Sequence, residues 1–216
     1  PIGKEWNEQA QALADYVVGK TVDQVIGIAV TEEGKPSGAD LTASVTMSIG
    51  GYLEGIQQAV ANARHLGAGT GDRLLLTSTT SLADSKNASV EETGLAQAYA
   101  TVGAITMNGD TITSMVIDAV QANVNFDTTG QITTDLAAAQ PSKNQIGDDY
   151  GMRKYSSIGK EWYEQAAGFA AYATGKTPAE VGGIAVTEEG KASDADLAAS
   201  VTISIGDFQT LVEKAA

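Results

Sequence analysis

The sequence has no cysteine and a single histidine, His65. These absences exclude thiol catalysis, thiolate metal sites and Cys/His zinc sites, and they leave His65 as the only imidazole for a Ser-His pair. No Gly-x-Ser-x-Gly motif supplies the nucleophile of such a pair. His65 follows a predicted helix, where a cation offsets the negative end of the helix dipole, so we interpret it as structural. The sequence predicts neither a catalytic residue nor a metal site.

Basic residues are also scarce, since 13 Lys and Arg stand against 27 Asp and Glu and the net charge is −14. A chain this acidic repels phosphate backbones and anionic lipid headgroups, which excludes binding to nucleic acids and to membrane surfaces. No apolar run approaches the roughly 20 residues of a membrane-spanning helix. The residues from Pro1 to Trp6 show no signal-peptide pattern.

The strongest positive feature is an internal repeat. A shift of 156 positions aligns Ile2–Gly50 with Ile158–Gly206 without a gap and gives 34 identities in 49 positions. Nine consecutive identities join Gly27–Lys35 to Gly183–Lys191. These nine residues form either a shared functional surface or the trace of a recent duplication at a tight turn between helices, and we favour the second interpretation.

The repeat predicts three segments, which are a helical copy at residues 1–63, a β-rich domain at residues 64–155 and a second helical copy at residues 156–216. Each copy has apolar residues at helical spacing, then a glycine at the helix end, then a capping box at Thr21 or Thr177. A last helix is predicted across residues 41–60, in preference to a short strand at 45–49. A module of β-rich domain followed by helical copy explains this order, and it leads us to expect a front half of the first module ahead of Pro1.

The middle segment alternates apolar and polar residues, as strands do. Strands are predicted at Leu74–Thr79 and Tyr99–Met107, and Asn108-Gly109 predicts a hairpin into a long return strand. Residues 131–134 would add a fourth strand after the next turn. An antiparallel β-meander of this size needs a helical layer on its apolar face, and the flanking helical copies would supply it. The predicted fold class is α+β.

Asp118 is the carboxylate of most interest in the return strand. We assign its face to the core, together with Ile112, Val116, Val120, Val124 and Phe126. Burial there would raise the pKa of Asp118 and make it a functional candidate. Alternatively, a twist or bulge turns Asp118 outward, and we favour this second interpretation.

Three further groups invite a functional site and are better explained by structure. The acidic pairs lack the spacing of a calcium loop and are interpreted as solvated turns; they are Glu32-Glu33, Asp148-Asp149 and Glu188-Glu189. The run Gly67–Gly71 could form an anion-binding nest, but no Lys follows it in a phosphate-loop pattern, so it is interpreted as a connector. Five aromatic residues could line a cleft, although their helical spacing favours packing in the core; they are Trp6, Tyr16, Trp162, Tyr163 and Tyr172.

Four stretches of the chain carry a resemblance to known sequences, and they are Gly159–Ala166, Gly183–Val186, Val201–Gly206 and Ile117–Asp127. Through them, and over essentially its whole length, the chain resembles a family of uncharacterised surface or lipoprotein-like proteins of anaerobic Gram-positive bacteria. The resemblance implies export and anchoring through a segment ahead of Pro1, and the family brings no established activity.

A second similarity links the hairpin Ala104–Ile112 to FMN-binding domains of exported electron-transfer proteins. Those domains attach FMN at a Thr or Ser of an Asp-x-x-Thr/Ser-Gly-Ala-Thr/Ser motif. The nearest run in this chain, Asp127–Thr133, is one residue shorter and has no Ala. If the chain binds flavin, the similarity implies a site at Asp127, Thr129, Gly130 and Thr133.

Tandem modules, an acidic surface and the lack of a catalytic constellation together indicate an extracytoplasmic, non-enzymatic ligand-binding or interaction protein of the cell surface. We expect no cofactor, and the sequence leaves the ligand, the surface partner and the oligomeric state open. The alternative is an exported electron-transfer protein that carries FMN at the turn 127–133.

Overall fold

The computed structural model describes residues 2–216 and contains two compact units, one ending at His65 and the other spanning Leu66–Ala216. The first unit is helical, and the second combines a sheet with helices. The predicted α+β class is therefore confirmed. Within residues 2–216, every helix is too short or too polar to cross a bilayer.

The first unit contains four helices, which are α1 (Trp6–Val17), α2 (Val22–Ile26), α3 (Ala39–Thr42) and α4 (Gly50–Asn62). Polar side chains start α1 and α2, because Glu5 with Glu8 and Thr21 with Gln24 close capping boxes over the free N–H groups. Gly19 ends the first helical stretch with φ at +80°, as its place in the sequence predicts.

The core of this unit consists of six apolar residues, which are Leu13, Val25, Leu41, Val45, Ile49 and Leu53. The predicted helix across residues 41–60 is wrong between 43 and 49, where the chain is irregular. Contacts with distant residues hold this stretch, since the Thr46 N–H donates to the Gln9 amide oxygen at 2.9 Å and the Ile49 N–H donates to the Gly34 carbonyl at 2.9 Å. Val45 and Ile49 still point into the core, so their apolar spacing reflects burial.

The second unit is built on a three-stranded antiparallel sheet in the order β1 (Arg73–Ser81), β2 (Gly94–Asn108) and β3 (Thr111–Phe126). The predicted hairpin at Asn108-Gly109 is confirmed, with Asn108 paired to Thr111 and Gly109 at a φ of +56°. The predicted fourth strand is reduced to an isolated bridge between Phe126 and Ile132.

The face of β3 that we assigned to the core is wrong beyond its first residues. The pairing of β2 and β3 shifts between Thr106 and Met107, because Thr113 is an extra residue on β3. This bulge reverses the alternation, so that Met115, Ile117 and Ala119 are buried and Val116 is 46% exposed. Asp118 consequently lies on the outer face, as the favoured interpretation predicts.

Helices cover the inner face of this sheet. After β3 come α5 (Lys143–Ile146), two 3₁₀ turns (Gly147–Tyr150 and Met152–Lys154), α6 (Trp162–Ala173), α7 (Pro178–Gly182), α8 (Ala195–Ala198) and α9 (Gly206–Glu213). Helix α6 packs on β3, and α9 packs on β1 and β2. In the resulting core the ring of Phe208 lies 5.9 Å from that of Trp162 and 5.2 Å from that of Phe169. The other face of the sheet leaves Leu74 and Leu76 exposed.

Helices α6–α9 each begin 156 residues after α1–α4, as 162 − 6, 178 − 22, 195 − 39 and 206 − 50 all show. We refer to residues 2–63 as the first helical segment and to residues 158–216 as the second. Four core positions are occupied by the same residues in both segments and are buried in both: Val25 and Val181, Leu41 and Leu197, Val45 and Val201, and Ile49 and Ile205.

Candidate functional site

We refer to residues 66–157, which contain the sheet, as the sheet side of the second unit. A cleft of about 410 Å³ opens between the sheet side and the second helical segment. We call it the Lys143 cleft, after the one lysine in its lining. Its walls are formed by Tyr99, Lys143, Met152, Trp162, Ile203, Ser204, Gly206, Asp207 and Phe208. The lining therefore places one amine and one carboxylate among mostly apolar side chains, as small-molecule sites commonly do.

The position of Lys143 is fixed by the residues around the start of α5. Ser142 and Gln145 close a capping box over the first turn of this helix. Asn144 ties the same turn to β3, because its backbone N–H donates to the Asp118 carboxylate at 3.1 Å and its amide donates to the Ile117 carbonyl at 3.0 Å. Asp118 is thus a positioning residue for α5, and it also accepts the Ala119 N–H at 2.8 Å.

The ammonium of Lys143 is buried among aromatic rings. Its Nζ lies 4.6, 4.7 and 5.0 Å from the ring centres of Tyr99, Tyr150 and Trp162, within the range of cation–π attraction. It donates a hydrogen bond to the Tyr99 hydroxyl at 3.1 Å. The ion pairs formed within residues 2–216 do not include Lys143. A buried cation without a carboxylate partner is the most unusual electrostatic feature of this unit.

Burial shifts the pKa values of Lys143 and Tyr99 in the wall of the cleft. Burial lowers the pKa of the Lys143 ammonium to about 8, because the charged form loses hydration. Burial likewise raises the pKa of the Tyr99 phenol to about 12, and the nearby Tyr150 and Asp207 add to this effect. At pH 7 the cleft therefore holds a mostly protonated amine beside a neutral phenol.

Carboxylates of the second helical segment form hydrogen bonds with residues of the sheet side. Glu161 is only 2% exposed and accepts the backbone N–H groups of Met152 at 2.8 Å and Arg153 at 3.0 Å. Asp207 accepts a hydrogen bond from the Thr101 hydroxyl of β2 at 3.2 Å. The guanidinium of Arg153 bonds Glu164 at 2.8 Å and holds the pKa of that carboxyl below its usual value. These bonds make the cleft a joint product of the sheet side and the second helical segment.

The four residues implied by the flavin similarity come together in one exposed turn outside the cleft. The Asp127 carboxylate accepts from the Thr129 N–H, the Thr129 hydroxyl and the Gln131 N–H at 2.8, 2.7 and 2.9 Å. These bonds lower the pKa of Asp127. Gly130 supplies the turn with a φ of +86°, and the Thr133 hydroxyl donates to the Asn125 carbonyl at 3.2 Å.

The remaining sequence candidates have local partners or lie at the surface. His65 is exposed, just beyond the end of α4. In the acidic pairs, Glu33 and Glu189 bind Lys35 and Lys191 at 2.6 Å, and Asp148 bonds Arg153 at 3.0 Å. The part of the chain from residue 2 onward brings no three metal-binding side chains together.

The Gly67–Gly71 run also has a local partner, and the aromatic residues differ in their exposure. Asp72 holds the glycine run, since its carboxylate accepts the Gly69 N–H at 2.7 Å and thereby has a lowered pKa. Of the aromatic candidates, Trp162 is buried and lines the cleft, whereas Trp6 is 64% exposed.

Sequence reasoning missed Lys143, Tyr99 and Asp207. One signal for Lys143 was present, because Ser142 and Gln145 form a capping-box pattern that places a lysine at the first position of a helix. A cation is disfavoured by the dipole at that end of a helix, so a lysine at this position indicates a further role for its side chain.

The chain matches no family model, no curated protein and no solved structure. The proposed function is therefore based on the cleft.

Proposed function

We propose that the chain is an extracytoplasmic, non-enzymatic binding protein of the cell surface, in which a β-meander flanked by two copies of a helical repeat presents the Lys143 cleft to a small ligand. Export is supported by the resemblance to surface proteins, and the repeat is supported by the 34 identities at a fixed shift of 156 residues. The proposed ligand is a small organic anion with an apolar or aromatic body.

The buried ammonium of Lys143 is the observation that supports this ligand class. An ammonium has three N–H donors, and Tyr99 accepts one of them. A ligand carboxylate would supply a charge-assisted hydrogen bond to the ammonium of Lys143, a residue that is only 5% exposed. Trp162 and Phe208 would contact the apolar part of the ligand, because both rings line the same cleft.

The test is a fluorescence titration in which only Trp162 reports. The chain has two tryptophans, so a Trp6→Phe background leaves Trp162 as the single emitter. Benzoate is the probe, and benzamide is its neutral control of the same shape. We expect benzoate to bind more tightly by at least about tenfold, since a hydrogen bond to a charged group contributes about 1.5–3 kcal/mol.

A matched pair of lysine variants assigns the preference to the cleft. Lys143→Met keeps the apolar stem and should remove the preference for benzoate. Lys176→Met is the control, because Lys176 also lies over a ring, that of Tyr172 at 4.0 Å, but does not line the cleft. Equal binding of benzoate and benzamide, or a preference that survives Lys143→Met, would contradict the proposal.

The flavin-carrier alternative is separated by an absorbance spectrum and an intact mass of protein purified from its own host. The binding proposal expects no flavin bands and the calculated mass. Flavin bands with the added mass of one FMN, lost on Thr129→Val or Thr133→Val, would replace it with the electron-transfer function.

A further inference from the structure

The first helical segment has an open apolar groove between α1 and α4. The groove has a volume of about 390 Å³, and its floor consists of Ala10, Leu13, Ala14, Gly51, Tyr52, Gly55, Ile56 and Ala59. Most of this surface is exposed or half-buried, and the ring of Trp6 beside it is 64% exposed. A contiguous exposed apolar surface of this kind is typical of an interaction site.

The second helical segment shows what such a surface contacts. Adding 156 to each residue of the groove gives Ala166, Phe169, Ala170, Asp207, Phe208, Leu211, Val212 and Ala215. All of these except Asp207 belong to the buried core that α6 and α9 form with the sheet. The groove is therefore the same surface that carries β1–β3 in the second unit.

The polar groups that fasten the sheet are also present in the first segment. Glu161 and Glu164, which accept from Met152 and Arg153, correspond to Glu5 and Glu8. Both of these carboxylates are exposed. Trp162, which lies under the Lys143 ammonium, corresponds to Trp6. The first segment thus offers acceptors and an aromatic face to a partner that brings N–H donors and a cation.

A backbone contact follows the same correspondence. In the second unit the Gly175 N–H donates to the Ile112 carbonyl at 2.8 Å, and the Ile112 N–H donates to the Lys176 carbonyl at 2.9 Å. The loop after α6 thereby pairs with the start of β3. Gly19 has nearly the same φ as Gly175, +80° against +87°, so the loop after α1 has the geometry to pair with a strand in the same way.

We propose that this groove is the docking site for a second antiparallel β-sheet of the kind formed by residues 73–126. In the second unit the donors Met152 and Arg153 lie between the sheet and α6 in the sequence, so the docked partner should bring equivalent N–H donors beside its sheet.

Substitutions in the groove define how the docked sheet differs from the one in the second unit. Leu211 lies 3.1 Å from where a Cβ on Gly103 would stand, and the corresponding residue of the groove is Gly55. Nothing lies within 4 Å of a Cβ built on Gly55. The docked sheet should therefore carry a larger apolar side chain at the position of Gly103. The docked sheet also needs no hydroxyl donor at the position of Thr101, because Asp207, which accepts from Thr101, corresponds to Gly51.

The experiment joins a second copy of residues 66–157 to Ile2 of the full chain. The added segment contains no tryptophan, so a Trp162→Phe background leaves Trp6 as the only reporter. Two forms of the added segment are compared, one unchanged and one with Gly103→Leu. We expect the Trp6 emission to shift to the blue and its acrylamide quenching to fall to that of Trp162 in Trp6→Phe protein, with the leucine form protected at least as well.

A matched pair of alanine-to-aspartate variants separates docking from general effects on folding. Ala14→Asp places a charge in the groove and should abolish the protection, whereas Ala61→Asp places one on an exposed residue of α4 outside it. Trp6 that stays as accessible as in the unextended chain with both forms of the segment would overturn the proposal. Protection that appears in the unextended chain at rising concentration, and is lost in Ala14→Asp, would instead assign the groove to a second copy of the chain.

Discussion

The two helical segments share most of their sequence and differ in what covers them. Trp6 and Trp162 stand at equivalent positions, yet Trp6 is 64% exposed and Trp162 is 3% exposed. Inside the segments there is no such contrast, because Ile49 and Ile205 are both 0% exposed. The inner residues of a segment therefore establish its own fold, whereas the outer residues acquire their environment from the sheet.

The contrast also extends to polar residues. Glu5 and Glu161 each close the same capping box at the start of a helix. Only Glu161 is buried, because only Glu161 also accepts the N–H groups of Met152 and Arg153. The same capping carboxylate therefore has a second role in the second unit, where it also binds the segment ahead of α6.

The largest expected difference in stability between the two segments concerns their equivalent tryptophans, Trp6 and Trp162. Trp162→Ala should lower the free energy of unfolding of the second unit by about 3–5 kcal/mol, since it leaves a cavity in a packed aromatic core. Trp6→Ala should change the stability of the first unit by about 1 kcal/mol or less, because the ring is mostly in water. Chemical denaturation of both variants measures the difference, and equal losses would show that the two environments are alike.

The equivalent carboxylates give a smaller effect of the same kind. Glu161→Gln places an amide donor against one of the two backbone N–H groups that Glu161 accepts and should lower the free energy of unfolding by about 1–3 kcal/mol. Glu5→Gln should cause little change, because Glu5 is exposed. Thermal unfolding of the two variants checks this pair, and a loss in Glu5→Gln as large as that in Glu161→Gln would contradict it.

Asp118 tests whether the outer face of the sheet positions the cleft. Asp118→Ala removes the acceptor for the Asn144 N–H, so we expect a loss of about 1 kcal/mol in stability and weaker benzoate binding at the Lys143 cleft. The control is Ser78→Ala, at an exposed outer-face position of β1 whose side chain does not reach α5. Benzoate binding that is unchanged in Asp118→Ala would remove the positioning role.

The pH dependence of the stability of the second unit gives a fourth test. Because the folded pKa of Lys143 is lowered from 10.5 to about 8, the folded protein binds fewer protons than the unfolded chain between these values. The contribution of this lysine to stability therefore rises from pH 8 to pH 10.5. The difference in unfolding free energy between wild type and Lys143→Met should change over this window, and a difference that stays constant from pH 8 to pH 10.5 would contradict this prediction.

Local features of the fold could be predicted from the sequence because their causes are local. The capping boxes at Thr21 and Thr177, the glycine ends at Gly19 and Gly175 and the turn at Asn108-Gly109 all depend on neighbouring residues. The core face of β3 could not be predicted, because a single extra residue at Thr113 reverses every side chain after it.

The Lys143 cleft was beyond sequence reasoning for a different reason. Tyr99, Lys143, Trp162 and Asp207 come from four separate elements, and only tertiary packing brings them together. The exposures of Trp6 and Trp162 could not be predicted from the sequence either, because the same four residues, Ile-Gly-Lys-Glu, precede both tryptophans.

The most direct test of this account is the acrylamide quenching of the two single-tryptophan proteins, Trp162→Phe and Trp6→Phe, measured side by side. We predict efficient quenching and a red-shifted emission maximum for Trp6, and weak quenching and a blue-shifted emission maximum for Trp162. Equal quenching of the two tryptophans would contradict the central claim that one surface, present twice in this chain, is covered by a sheet in the second segment and open in the first.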